Sequence, residues 1–210
     1  MDYLCRTYWR PIHDFIRFCG RSPEVAEDLT QEFLARLMRS KALVKIDRRN
    51  GALRQYLKQS VRNFLRDAWR HDGAQRRGGN YQMVSIESSE AVGVFNATDG
   101  RMTPDEAFDY GWAVALLNKA HQELRESYRG SGERFEILSL FLPGRNPDMT
   151  SAQAAEKLGV SASSVRVEVS RLRQELGLKI RGQIMATVSS PEEVEDELAT
   201  LMDIFRRRVA

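Results

Sequence analysis

The segment 150–178 combines small, polar and basic side chains with helix-capping residues at close spacing. Thr150 followed by Gln153 forms a capping box, which begins a short helix, and Gly159 can take the left-handed conformation that ends it. Ser161 is suited to cap a second helix directly afterwards. The segment therefore predicts two short helices joined by a tight turn.

The second of these helices is predicted to have two unlike faces. Its apolar stripe, at about 100° per residue, consists of Val165, Val169, Leu172 and Leu176. Small, polar and basic side chains on the opposite face would let the helix enter a major groove. Base contacts are expected from Ser163, Arg166, Val167 and Ser170, phosphate contacts from Arg171 and Arg173, and further contacts from Ser161 and Ser164. An ordinary helical hairpin is the alternative, but the basic outer face favours DNA binding.

A second basic surface is predicted on a helix over about 52–70. Its apolar stripe consists of Leu53, Leu57, Val61, Phe64 and Ala68. Basic residues recur every four positions on another side, at Arg54, Lys58, Arg62, Arg66 and Arg70. Such like charges destabilise a helix unless something compensates them, and such a stripe can follow a phosphate backbone. Trp69 lies among these cations, where unstacked bases could stack on it, so nucleic acid is favoured over a merely solvated face.

The helix that begins near Ser22 and Pro23 is predicted to have two partly apolar faces. Its inward stripe consists of Val25, Ala26, Leu29, Phe33 and Leu37. A second patch consists of Asp28, Gln31, Leu34, Ala35 and Met38. A helix of this kind usually packs on both sides. A partner surface and a three-helix core that covers both faces therefore both remain open.

Composition narrows the class of protein. The 210 residues are 42% hydrophobic and 29% charged with a net charge of +3, which suits two small domains. Because no apolar run approaches the ~18 residues of a membrane span and the N-terminus lacks a signal-peptide core, a cytoplasmic protein is expected. Cys5 and Cys19 have no metal-ligating neighbours, and neither paired carboxylates nor a nucleophile or phosphate loop occurs. We expect no metal, no cofactor and no enzymatic activity.

Three segments together resemble the extracytoplasmic-function sigma factors of bacterial RNA polymerase. Residues 26–37 (AEDLTQEFLARL) resemble the family's polymerase-binding helix. Residues 53–70 (LRQYLKQSVRNFLRDAWR) are similar to the segment that melts and reads the −10 element, with matches at Arg62, Asn63 and Asp67. Residues 150–173 are similar to the region that reads the −35 element, although the family often has a basic residue where Glu168 stands.

The resemblance implies an all-α transcription initiation factor of two helical domains. A polymerase- and −10-binding domain (1–79) would be followed by a linker (80–102), a helix-turn-helix −35-binding domain (103–182) and a C-terminal helical extension (183–210). The implied polymerase contacts are Asp28, Gln31, Glu32, Leu34 and Arg36. The implied −10 contacts are Arg54, Lys58, Arg62, Asn63, Arg66, Trp69, Arg70, Arg76 and Arg77.

The implied partners are core RNA polymerase and promoter DNA, with an anti-sigma factor as a further candidate and no membrane. Two other classes of protein remain open. A stand-alone helix-turn-helix repressor or activator would touch DNA but would not need a polymerase surface. A helical adaptor that sequesters an anti-sigma factor would not need the basic stripe of residues 54–70.

A final helix is predicted from about Pro191 to Arg207. Its stripe of Val194, Leu198, Leu201 and Phe205 is too apolar for an isolated solvated helix. We expect it to complete the core of the second domain. Its first turns are crowded with acids, namely Glu192, Glu193, Glu195, Asp196 and Glu197. A second interpretation is therefore that the helix lies over a basic DNA-binding face and competes with phosphate.

Overall fold

The computed structural model describes residues 2–40, 53–75 and 102–209, and within these ranges all regular structure is helical. The predicted all-α fold class is confirmed. Arg76, Arg77 and most of the predicted linker lie outside the described residues. The helices are α1 (Asp2–Phe18), α2 (Pro23–Arg39), α3 (Leu53–Gln75), α4 (Pro104–Ser127), α5 (Gly132–Ser139), α6 (Ser151–Leu158), α7 (Ala162–Met185) and α8 (Pro191–Val209).

The chain forms two compact units, of which the first combines Met1–Ala115 with Thr187–Ala210 and the second is Leu116–Ala186. Helix α4 therefore contributes its first half to the first unit and its second half to the second. Helix α8 belongs to the first unit, so the expectation that it completes the core of the second domain is wrong. The observed boundaries therefore differ from the sequence-based boundaries at 103 and 183, because the first half of α4 packs in the core of the first unit.

The core of the first unit joins α1 to the first half of α4. Helix α1 continues through Pro11 and buries Ile12, Phe15 and Ile16. The ring of Phe108 in α4 lies 6.4 Å from that of Phe15, centroid to centroid. Gly111 faces Pro11, and a Cβ atom there would lie 3.2 Å from the Cα of Pro11. The close approach therefore favours glycine at this position of α4.

Helix α2 packs on α1 through a face that differs from the predicted stripe. Its buried residues are Ala26, Thr30, Phe33, Leu34 and Leu37, whereas Val25 is exposed. Thr30 can be buried because its hydroxyl donates to the carbonyl oxygen of Ala26 at 2.6 Å, which satisfies the polar group inside the helix. Leu34, predicted on the second face, is only 4% exposed and belongs to the core.

The second unit contains the helix-turn-helix formed by α6 and α7, with α5 packed against both. The predicted local chemistry is confirmed. Thr150 and Gln153 form the capping box of α6, Gly159 ends α6 with φ of 64°, and the Ser161 side chain caps α7. Helix α7 is longer than the sequence indicated and runs to Met185. None of the helices in the described ranges has the length and apolar character that crossing a membrane requires.

Candidate nucleic-acid interface

Helix α7 separates a buried face from an exposed face as its sequence predicts. Val165, Val169, Leu172 and Leu176 are all buried. The candidate contacts Ser163, Arg166, Val167, Ser170, Arg171 and Arg173 are exposed. Val167 is 60% exposed, and an apolar side chain there could meet a thymine methyl group in a major groove. The exposed face thus offers hydroxyl, guanidinium and methyl groups together.

The first turn of α7 is fixed by serine side chains. The Oγ of Ser161 accepts from the backbone N–H of Ser164 at 3.1 Å, and it lies 2.9 Å from the Oγ of Ser164 and 2.7 Å from that of Ser163. Ser161 and Ser164 therefore serve the helix cap in this structure. Their hydroxyl groups hold the end of the helix whose N-terminal dipole and free N–H groups favour a phosphate.

Two basic residues near this helix have partners inside the second unit. Arg173 donates to the carbonyl oxygen of Phe141 at 2.9 Å. Arg134 of α5 forms a bidentate ion pair with Glu168, with Nε 2.9 Å from one carboxylate oxygen. The hydrogen bonds from Arg134 lower the pKa of Glu168; burial acts in the opposite direction, and the charges of Arg134 and Arg171 assist the lowering. Arg134 thereby compensates the negative charge of Glu168 on α7.

The first half of α3 holds its cations in a buried network. The guanidinium of Arg54 donates from Nε and one terminal nitrogen to the two carboxylate oxygens of Glu197 in α8, both at 2.8 Å. Its other terminal nitrogen lies 2.5 Å from Asp109 of α4, and its Cζ atom lies 4.8 Å from the centroid of the Trp112 ring. The side chain of Arg54 is only 4% exposed. Burial opposes its charge, but the bonds and charges of Glu197 and Asp109 outweigh burial and raise its pKa.

The same pattern continues along α3. Lys58 donates to both oxygens of Asp109, at 2.9 and 3.1 Å, and Arg62 pairs with Asp105. Arg54 and Lys58 share Asp109, and as α3 advances from Lys58 to Arg62 the acidic partner on α4 moves back four residues to Asp105. The two helices therefore run antiparallel with their charges in register, and the acids of α4 compensate the repulsion between the cations of α3.

This network changes the assignment of two predicted DNA contacts. Arg54 and Lys58 are buried and bonded to carboxylates, so they present no charge to DNA in this arrangement. The sequence pattern did not reveal this, because basic residues that recur every four positions can face acids on a neighbouring antiparallel helix as well as a phosphate backbone. Arg62 is intermediate, since its side chain remains 31% exposed beside Asp105.

The candidate −10 contacts in the second half of α3 are more exposed to solvent than Arg54 and Lys58 in its first half. Asn63 is exposed and accepts from Gln59 at 3.2 Å. The side chain of Arg70 is 73% exposed, and Arg66 is half-buried. Trp69 is half-buried rather than part of the core, and the guanidinium of Arg21 lies 5.3 Å from the centroid of its ring. Among the residues that the structure describes, the candidate −10 contacts that remain accessible thus lie in 62–70.

The expected polymerase surface lies on the solvent side of α2. Asp28, Gln31, Glu32 and Arg36 are exposed, and Arg36 pairs with Glu32 at 2.5 Å. The guanidinium of Arg36 also lies over the ring of Phe64 in α3, 5.1 Å from its centroid. Leu34 does not join them because it is buried in the core. Four of the five expected polymerase contacts therefore share one exposed surface, and the fifth does not.

Sequence reasoning missed the acidic residues that hold α3, namely Asp105, Asp109 and Glu197. A signal for the first two exists in the sequence, because their spacing of four matches the spacing of Arg54, Lys58 and Arg62. Glu197 gives a weaker signal, since it falls between the apolar residues of the α8 stripe. An acid on an otherwise inward face indicates a buried cationic partner.

Comparison with known families locates one domain. Residues 4–75 match the family model described as sigma-70 region 2, which covers α1 to α3. This matched domain supports a role in RNA polymerase binding and transcription initiation. Region 2 binds core RNA polymerase. Searches among curated proteins and among solved structures gave no match.

Proposed function

We propose that this protein is a sigma factor of the extracytoplasmic-function type, which directs core RNA polymerase to promoters with defined −10 and −35 elements. The observation that carries the proposal is the pairing of a sigma-70 region 2 match in the first unit with a helix-turn-helix in the second. A stand-alone helix-turn-helix regulator would have no need of the first unit's matched region.

The two units would divide the work of promoter recognition. The exposed surface of α2, with Asp28, Gln31, Glu32 and Arg36, would bind core polymerase. The second half of α3 would open the −10 element through Arg62, Asn63, Arg66, Trp69 and Arg70, assisted by Arg76 and Arg77. The recognition helix α7 would read the −35 element from Ser163, Arg166, Val167 and Ser170.

The direct test is run-off transcription with purified core polymerase, the full chain and a library of promoter fragments. We expect the protein to select a subset of fragments that share two elements, because its two units would read each one. DNA binding without any initiation by added core polymerase would instead favour the stand-alone regulator.

A double variant tests the polymerase surface. Asp28→Ala with Gln31→Ala should abolish co-purification with core polymerase and leave the far-ultraviolet circular dichroism unchanged, because both side chains are exposed. Glu156→Ala with Lys157→Ala, at exposed positions of the second unit, is the matched control. Normal polymerase binding by the folded double variant at 28 and 31 would refute the assignment of this surface.

A further inference from the structure

Four charged residues tie α3 to two helices that are distant in sequence. We name them the α3 clasp, consisting of Arg54 and Lys58 from α3, Asp109 from α4 and Glu197 from α8. Glu197 is separated from Arg54 by 143 positions. A backbone bond supports the same junction, since the N–H of Leu53 donates to the carbonyl oxygen of Thr187 at 3.0 Å.

The surroundings of the clasp are those of a domain core. On α8, Val194 and Leu201 are buried on either side of Glu197. On α4, Phe108 and Trp112 are almost completely buried, and Trp112 lies against the guanidinium of Arg54. A reversible electrostatic cover would consist of exposed, screened ion pairs. Here both carboxylates of the Arg54 interaction are mostly shielded from water, with side chains 9% and 20% exposed.

We infer that the first half of α4 and helix α8 are permanent parts of the first unit, in which Arg54 and Lys58 position α3 and contact no DNA. The segment 4–75 that matches sigma-70 region 2 is then an incomplete folding unit in this chain. Residues that precede and residues that follow the second unit in the sequence complete this folding unit. The DNA-facing part of α3 begins at Arg62. Only this last point rests on the proposed function.

Removal of one buried partner tests the clasp in the full-length chain. Glu197→Gln replaces one of the two carboxylates that compensate Arg54 by a neutral amide, and this loss of buried charge should lower the Tm of the first unit by about 10 °C although Asp109 remains. Asp196→Asn, on the exposed neighbour, should change Tm by less than about 2 °C. The double variant Arg54→Met with Glu197→Leu removes both charges and should regain at least half of the loss, because an apolar pair can replace a buried ion pair.

A second experiment measures how promoter binding by the complex of this protein with core polymerase depends on salt concentration. Lys58→Met should leave the slope of log affinity against log salt unchanged, whereas Arg70→Ala should reduce it by about 0.9, the value for one lost phosphate contact. A reduced slope for Lys58→Met would overturn the assignment. If the unsubstituted complex bound no promoter, the proposed function would fail, yet the Tm measurements would still decide the clasp.

An unchanged Tm in Glu197→Gln would overturn the inference, whatever happens to DNA binding. Tighter promoter binding by that variant would overturn it as well, because it would identify α8 as a reversible acidic cover over cations that serve DNA.

Discussion

The recognition helix should separate base reading from phosphate contact at two arginines. Arg166 is exposed, and within the described part of the chain no acidic or carbonyl partner holds it. Arg173, two turns later, already donates to the carbonyl oxygen of Phe141. We expect Arg166 to reach a base edge because it lies near the N-terminal end of α7, where recognition helices enter the groove. Arg173, fixed farther along the helix, should contact a phosphate.

The two substitutions should then have different signatures. A bidentate arginine contact to guanine contributes about 1–3 kcal/mol of discrimination, so Arg166→Ala should reduce the preference at one −35 position by about 5- to 150-fold. Arg173→Ala should weaken all promoters alike and reduce the salt slope by about 0.9. Since its bond to Phe141 is exposed, we expect a loss of about 1 kcal/mol in unfolding free energy at most.

Competition binding distinguishes these outcomes. Polymerase complexes carrying each variant are titrated with a selected promoter and with all single substitutions of its −35 element, at several salt concentrations. Arg173→Lys is the matched control, because it keeps the charge and should restore most of the affinity. An equal loss on every sequence for both alanine variants would refute the division of roles.

Two further predictions concern a buried histidine and a half-buried aromatic ring. Burial lowers the pKa of His121, with a smaller contribution from Arg145, although its bond to the Pro143 carbonyl oxygen acts in the opposite direction. Because the folded state disfavours the proton, the unfolding free energy should fall as pH drops below about 6.5. His121→Gln, which keeps an N–H donor, should remove that dependence between pH 7.5 and 5.5 in denaturant titrations. Trp69→Ala should reduce permanganate reactivity of −10 thymines several-fold while polymerase binding persists, whereas Trp69→Phe should retain reactivity; equal reactivity in all three proteins would exclude stacking.

The helix-turn-helix was predictable because its determinants are local. Thr150 and Gln153 lie three residues apart, and Gly159 takes a positive φ that few other residues tolerate. The stripe of α7 repeats at helical spacing, so its buried face followed from periodicity alone. None of these features depends on which distant segment packs against them.

The first unit was less predictable because its packing is not local. Periodicity treats Arg54 and Arg70 alike, yet one is buried and the other is largely exposed. The difference depends on Asp109 and Glu197, whose positions follow from tertiary structure. The burial of Thr30 was missed for another reason. Its hydroxyl donates a hydrogen bond to the Ala26 carbonyl of its own helix, so the side chain can be buried like an apolar one.

Under the proposed function, the acids of α4 and α8 would determine which cations of α3 can contact DNA. Along α3, Arg54 and Lys58 have charge partners that water reaches poorly, and Arg62 has one at the edge of solvent. If one of these cations exchanged its carboxylate partner for a phosphate, the gain in binding free energy would be small. One anion would replace another, and a buried carboxylate would first have to be released. Beyond Arg62, Arg70 pairs with Asp67 at 3.9 Å, but both side chains are largely exposed, so exchanging this partner for a phosphate costs little. The accessible end of α3 is therefore where an electrostatic gain from DNA is available, and it is also where Trp69 lies.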